Sequence, residues 1–146
     1  MKKQTLILLI STLLTVPAFA ETFKSADDAV KKLEAYTVSD VEGDKARLEA
    51  RQPLRIDQMF EDLEGAVKLI GKQALTEDLA YQMGRVTIIT FINDPSAYAV
   101  GEIILPVYQK NKKVFEKAAQ KLHPVDRKLL LDTLKSFDEA SSEGQG

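Results

Sequence analysis

Two charged residues stand in apolar surroundings and are the first place to look for chemistry. Arg85 opens, and Glu102 interrupts, the run Val86 to Tyr108, VTIITFINDPSAYAVGEIILPVY. An unpaired charge in a low-dielectric interior is costly. If both side chains turn inward, they are expected to pair with each other or with Tyr81 or Tyr98. Such a pair either fixes helix register or forms the polar anchor of a pocket between helices. Thr87, Thr90 and Asn93 would share that polar edge, or bond backbone carbonyls within their own helix. Tyr36, Tyr81, Tyr98 and Tyr108 lie at or near the ends of apolar segments. A large apolar ring with a polar tip suits binding patches, and Tyr98 and Tyr108 flank the central run. The expected binding residues are therefore Arg85, Glu102, Tyr98 and Tyr108.

Catalysis and metal binding find less support. His123 is the only histidine and there is no cysteine, so a His-rich metal site and thiol chemistry are both excluded. A lone histidine can serve as a general base, but no nucleophile can be paired with it, and Asp126 and Arg127 beside it read as first-turn charges. Gly84 and Gly101 belong to no phosphate-cradling motif and are expected at close helix crossings. Asp57, Glu61, Asp62 and Glu64 fall opposite an apolar stripe and read as a solvated face. Lys110, Lys112, Lys113, Lys117 and Lys121 form a basic stripe, again read as solvated rather than as a site for an acidic partner. No catalytic residue, metal ligand or cofactor is assigned.

The elements that must position these residues read as helices. Ser25 caps a first helix with Asp27 and Asp28 in its first turn, followed by a loop over Thr37–Gly43 and a short surface helix over Asp44–Arg51 ended by Pro53. Ile56, Met59, Phe60, Leu63, Ala66, Val67 and Ile70 then recur at steps of three and four, one stripe over four turns. Thr76 starts the next helix. Asp94-Pro95 reads as a cap with proline at the first helical position, and Pro106 as a kink or a fresh start. Pro124 opens the last helix. The expected architecture is all-α, about five to six helices packed as antiparallel hairpins in a small bundle or short α-solenoid-like domain. An α+β alternative, with a β-hairpin at about 86–108, rests on the β-branched content of that run. Against it stand the lack of alternation and the presence of Gly101 and Pro106.

The first 20 residues read as a cleaved secretory signal peptide: Lys2 and Lys3, a short apolar run, Pro17, then Ala18-Phe19-Ala20. The apolar run is about 12 residues, short of the roughly 20 that span a bilayer. Removing 20 of 146 residues leaves 126, read as one helical domain over 21–137 and a disordered tail over 138–146. Losing two lysines leaves 18 basic against 22 acidic residues, a formal charge of −4. That balance argues against a nucleic-acid binder, which needs concentrated Lys and Arg. The expected compartment is the periplasm, without stable membrane insertion after cleavage.

Small size, an acidic balance and the lack of a catalytic constellation fit a non-catalytic protein-binding role, as an inhibitor, an immunity-type protein or an adaptor. The partner would be another exported protein, and a homodimer is compatible. The alternative is a carrier of an apolar small molecule or lipid, in a pocket near Phe91, Ile104 and Tyr108. An enzyme is the least favoured class.

Overall fold

A computed structural model of the chain describes residues 23–94 and 96–143. The leader expected over 1–20 lies outside the described residues, as do Pro95 and the last three residues of the expected tail. The elements are α1 (Ala26–Glu34), α2 (Val38–Glu42), α3 (Asp44–Glu49), α4 (Arg55–Ile70) and α5 (Glu77–Thr90). A π-helix (Ala99–Ile104), α6 (Leu105–Ala119) and α7 (Pro124–Glu143) follow. No strand occurs among the described residues. The chain is an all-α bundle, and the β-hairpin alternative over 86–108 is not adopted.

Helix α5 is the centre, packed against α1, α4, α6, α7 and the π-helix. A helix surrounded on all sides must be apolar around its whole circumference, which is why its periodicity blurs after Met83. Its two fully buried threonines are satisfied locally. The Thr87 hydroxyl donates to the Met83 carbonyl at 2.7 Å, and that of Thr90 donates to the Thr87 carbonyl at 2.7 Å. Back-bonding of this kind lets β-branched residues lie in a buried helix without an orphaned donor. Asn93 just beyond donates to the Val41 carbonyl at 2.7 Å, tying α2 to the end of α5.

Both expected close crossings involve α7. A Cβ on Gly84 would lie 3.0 Å from Leu130 Cδ2, and one on Gly101 only 2.7 Å from Phe137 Cε1. Gly101 thus lets the Phe137 ring approach more closely than a Cβ would allow, while at Gly84 a Cβ would need Leu130 to give way slightly. The helix also runs to Glu143, so 138–143 is helical where the sequence pattern suggests a disordered tail. Periodicity is lost there because Asp138 is held by polar contacts: its carboxylate accepts from Lys112 Nζ at 2.7 Å and Gln109 Nε2 at 2.9 Å.

The segment read as a loop, Thr37–Gly43, contains α2. Asp40 makes the turn, its carboxylate accepting from the Thr37 backbone N–H at 2.8 Å and the Thr37 hydroxyl at 3.1 Å. This is the reciprocal half of a capping box. The restart after Asp94 comes later than Pro95. Ala97 adopts φ 51° and helical geometry begins after it. Asp94 is therefore not the N-cap, which is Tyr98, though its carboxylate still accepts from the Ala99 N–H at 3.4 Å.

Candidate functional site

The apolar stripe of α4 is wider than the surface its partners cover. Ile56, Met59, Leu63, Ala66 and Leu69 are buried, whereas Phe60, Val67 and Ile70 along one edge are only partly so. That edge faces the π-helix and the first turns of α6, and the seam between them is open. One depression of about 290 Å³ is lined by Glu64, Val67 and Lys68 from α4, and by Tyr98, Glu102 and Pro106 from the other side. A second, of about 490 Å³, takes in Val67 and Ile70, then Pro106, Val107, Lys110 and Asn111. Val67 and Pro106 belong to both. The two form one groove along which residue numbers rise on both walls, so its walls run parallel.

The far wall owes its shape to proline. The Leu105 N–H bonds the Val100 carbonyl, a five-residue step. Pro106 has no N–H to continue that ladder, and its ring would clash with the carbonyl four residues back in a regular α-helix. The wide π-turn relieves the clash and ends where the donor is missing. π-Helices are rare and concentrate at functional sites. This one places Tyr98 and Glu102 at the groove. A few residues on, Asn111 leaves helical geometry (φ −133°, ψ 32°), and its side-chain amide donates to the Val107 carbonyl at 3.0 Å. Both irregularities therefore fall on the wall of the groove.

Of the four expected binding residues, two meet in the groove. Tyr98 is 44% exposed, its ring set edge-on to Phe60 at 5.4 Å between centroids, with the planes at 70°. Glu102 is exposed on the same wall, and across from it Glu64 is exposed on α4. Among the described residues neither carboxylate has a Lys or Arg nitrogen within 4 Å. Glu64, Val67, Lys68 and Pro106 were missed as site residues. The available signal was that Phe60, Val67 and Ile70 extend the stripe beyond one partner's width, with Glu64 one turn from Phe60.

The expected Arg85–Glu102 pair does not form. Arg85 faces α1 instead and donates to the carbonyls of Leu33 at 2.6 Å, Glu34 at 3.1 Å and Tyr36 at 2.7 Å, with Nε on Gln82 Oε1 at 2.8 Å. The end of α1 has carbonyls without intrahelical donors, and a guanidinium supplies several donors at once. Backbone oxygens thus replace the carboxylate partner. Tyr108 is not a surface residue either. It is 2% exposed, edge-on to Phe115, and its hydroxyl donates to Glu116 Oε1 at 3.1 Å. Burial and the Glu116 carboxylate push its phenol up to about 12. Ile104 is fully buried as well, so the pocket expected near Phe91, Ile104 and Tyr108 is closed core at two of its three residues.

Other charges are absorbed by structure. Asp44 is buried, and its carboxylate accepts from the N–H groups of Arg55 at 2.7 Å and Ile56 at 2.9 Å and from Arg47 at 3.0 Å. It caps α4 from eleven residues upstream. Burial alone would push its carboxyl up, but the Arg55 and Ile56 N–H groups, aided by Arg47, hold it below the usual carboxylate range. Three of the five lysines of the basic stripe along and just beyond α6 are engaged: Lys112 with Asp138, Lys117 with Glu77, and Lys121 with Glu77 and Asp78. Within the groove, Lys110 and Lys68 have no carboxylate within 4 Å among the described residues. His123 is exposed and accepts from the Val125 N–H at 3.4 Å, a cap for α7. A separate apolar surface lies around Leu48, Leu54 and Ile92 beside α2 and α3. Comparison of the chain with protein-family models, curated proteins and solved structures finds no match.

Proposed function

We propose that this protein is a non-catalytic binding module that docks on another exported protein through the α4/π-helix groove. One observation carries the reading. A half-exposed tyrosine, braced by Phe60, stands at the lip of an apolar groove whose two flanking carboxylates have no Lys or Arg nitrogen within 4 Å among the described residues. Tyrosine, an apolar floor and a polar rim are the parts of a protein interface. A groove between two helix walls is the shape that receives a helical segment. The export half of the reading rests on the leader-like sequence of residues 1–20.

Site-specific photo-crosslinking tests it in cells that express the protein. A photoreactive residue at position 98 should give one discrete adduct, and the same residue at Leu48 or Leu129, both exposed apolar positions, should not. Val67→Glu should abolish the position-98 adduct while leaving the circular dichroism spectrum unchanged. Adducts at 48 or 129 with none at 98 would end the reading, as would a position-98 adduct indifferent to Val67→Glu. Recovery of the position-98 protein without an adduct in every condition would do the same.

A further inference from the structure

The geometry points to one class of occupant for this groove: an amphipathic helix of the partner with a basic side chain seated on Tyr98 between Glu64 and Glu102. The inference rests on the docking reading above and deepens it by stating the partner's chemistry. It starts from the order of charges along the groove. At the Tyr98 end the depression carries Glu64, Glu102 and Lys68, two carboxylates against one ammonium, and the other depression carries Lys110 as its one charged residue. On α4, Lys68 is one turn beyond Glu64, roughly 6 Å along the axis. On the other wall Glu102 and Lys110 are eight residues apart, on the order of 12 Å at α-helical rise. The groove is thus net acidic at the Tyr98 end, where two carboxylates outnumber Lys68, and basic at the Lys110 end, with Val67 and Pro106 at the junction.

Each of these charges lacks an ion-pair partner within 4 Å among the described residues, while most lysines elsewhere on α6 are paired. A cation entering the Tyr98 end meets two carboxylates and an aromatic ring, which outweigh the single ammonium of Lys68 in the same depression. Arginine suits that setting best, because its planar guanidinium both stacks on aromatic rings and bonds carboxylates. A depression of about 290 Å³ admits a side chain rather than a folded domain. An acidic residue two turns along the same face of the partner helix would reach Lys110. The occupant therefore carries Arg or Lys and Asp or Glu about eight residues apart, with apolar residues between them on one face.

The test uses a designed helical peptide with Arg and Glu eight positions apart flanking two leucines, and a counterpart with that Arg replaced by Gln. Each is titrated into the ¹⁵N-labelled full chain. The arginine peptide should move the amide signals of Val67, Tyr98 and Ile103, and the glutamine peptide should bind about tenfold more weakly. In the double variant Glu64→Gln/Glu102→Gln the two peptides should bind alike, since a coupling of this kind disappears when either partner is neutralised. Equal binding by both peptides to the unaltered protein would overturn the inference, as would shifts confined to residues outside the groove or no binding at all. Peptide failure alongside a Val67-dependent adduct at position 98 would remove the charge pattern and leave the docking reading standing. A missing position-98 adduct would remove the docking reading itself.

Discussion

The corner where α1, α2 and α4 meet and the groove between α4 and the π-helix use similar residue types in opposite ways. At the corner, Arg85, Asp44, Asp40 and Arg55 are partly or wholly buried, and each spends its hydrogen-bonding capacity on chain ends or on one another. Arg85 takes carbonyls at the end of α1, Asp44 takes N–H groups at the start of α4, and Arg55 Nε reaches Asp40 at 3.1 Å. No buried side-chain nitrogen or oxygen is left without a partner among the described residues. In the groove, Glu64, Glu102, Lys68 and Lys110 are exposed and have no such engagement. Charges locked to backbone hold a fold together; charges left open beside an apolar floor are available to something outside it. Substitution should separate the two regions cleanly, with large stability effects at the corner and small ones in the groove.

Asp44→Ala should give the largest effect. It removes the acceptor for two N–H groups at the start of α4, one of them buried. Losing a cap and orphaning a buried donor together cost about 3 kcal/mol, read as a lower midpoint in urea with the slope unchanged. Protonation has the same sign. Because the folded carboxyl is held low, its contribution is present above the unfolded value of about 3.9 and is lost as pH falls through the folded one. Stability should therefore decline more steeply below about pH 4 in the unaltered protein than in Asp44→Asn. Parallel acid profiles for the two proteins would show that Asp44 is not the group responsible.

Arg85→Met comes next. It keeps much of the stem's packing but leaves the carbonyls of Leu33 and Tyr36 without their side-chain donor, a loss of about 2 kcal/mol. Arg85→Lys should recover only part of this, since one ammonium cannot reproduce a planar fork. Full recovery by lysine would mean that charge, not geometry, holds the end of α1. In both variants the peptide contacts of the groove should be unchanged, because Arg85 faces away from it.

Sequence conveyed the helices well and the partners of the charges poorly. Ser25, Thr76 and Pro124 marked helix starts because capping is local chemistry. Gly84 and Gly101 marked crossings because a missing Cβ signals closeness whatever the partner. Arg85 was legible as a charge needing compensation. Its compensation came from backbone oxygens of residues more than 45 positions away, which no side-chain pattern encodes. Tyr98 and Tyr108 are alike by type and by position relative to the apolar run. They differ in fate because Tyr98 sits at the start of the π-helix, while Tyr108 turns toward α6's own Phe115. The π-turn follows from the missing N–H of Pro106 and the clash its ring would make with the preceding turn. Glu64 looked like a solvated carboxylate because the width of the α4 stripe exceeds the core it serves only once the fold is known.

Gly101→Ala tests the boundary between the two regions, since the π-helix forms the groove on one side and packs on α7 on the other. The added Cβ would overlap the Phe137 ring, a small-to-large change costing about 1 to 2 kcal/mol. Phe137→Leu in the same chain should return most of that loss by making room. If the double variant is no more stable than Gly101→Ala alone, the crossing is not what requires glycine.

The smallest stability effect should come from the groove charges themselves. Glu64→Gln and Glu102→Gln remove exposed carboxylates with no ion-pair partner within 4 Å among the described residues, so each should change stability by no more than about 0.5 kcal/mol. Binding should respond in the opposite sense to the corner substitutions. The same two changes should abolish the preference for the arginine peptide, while Asp44→Asn, measured where it is still folded, should leave it intact. If either groove change destabilised the protein as strongly as Arg85→Met, its carboxylate would be structural. The contrast between a sealed corner and an open groove would then fail at that residue.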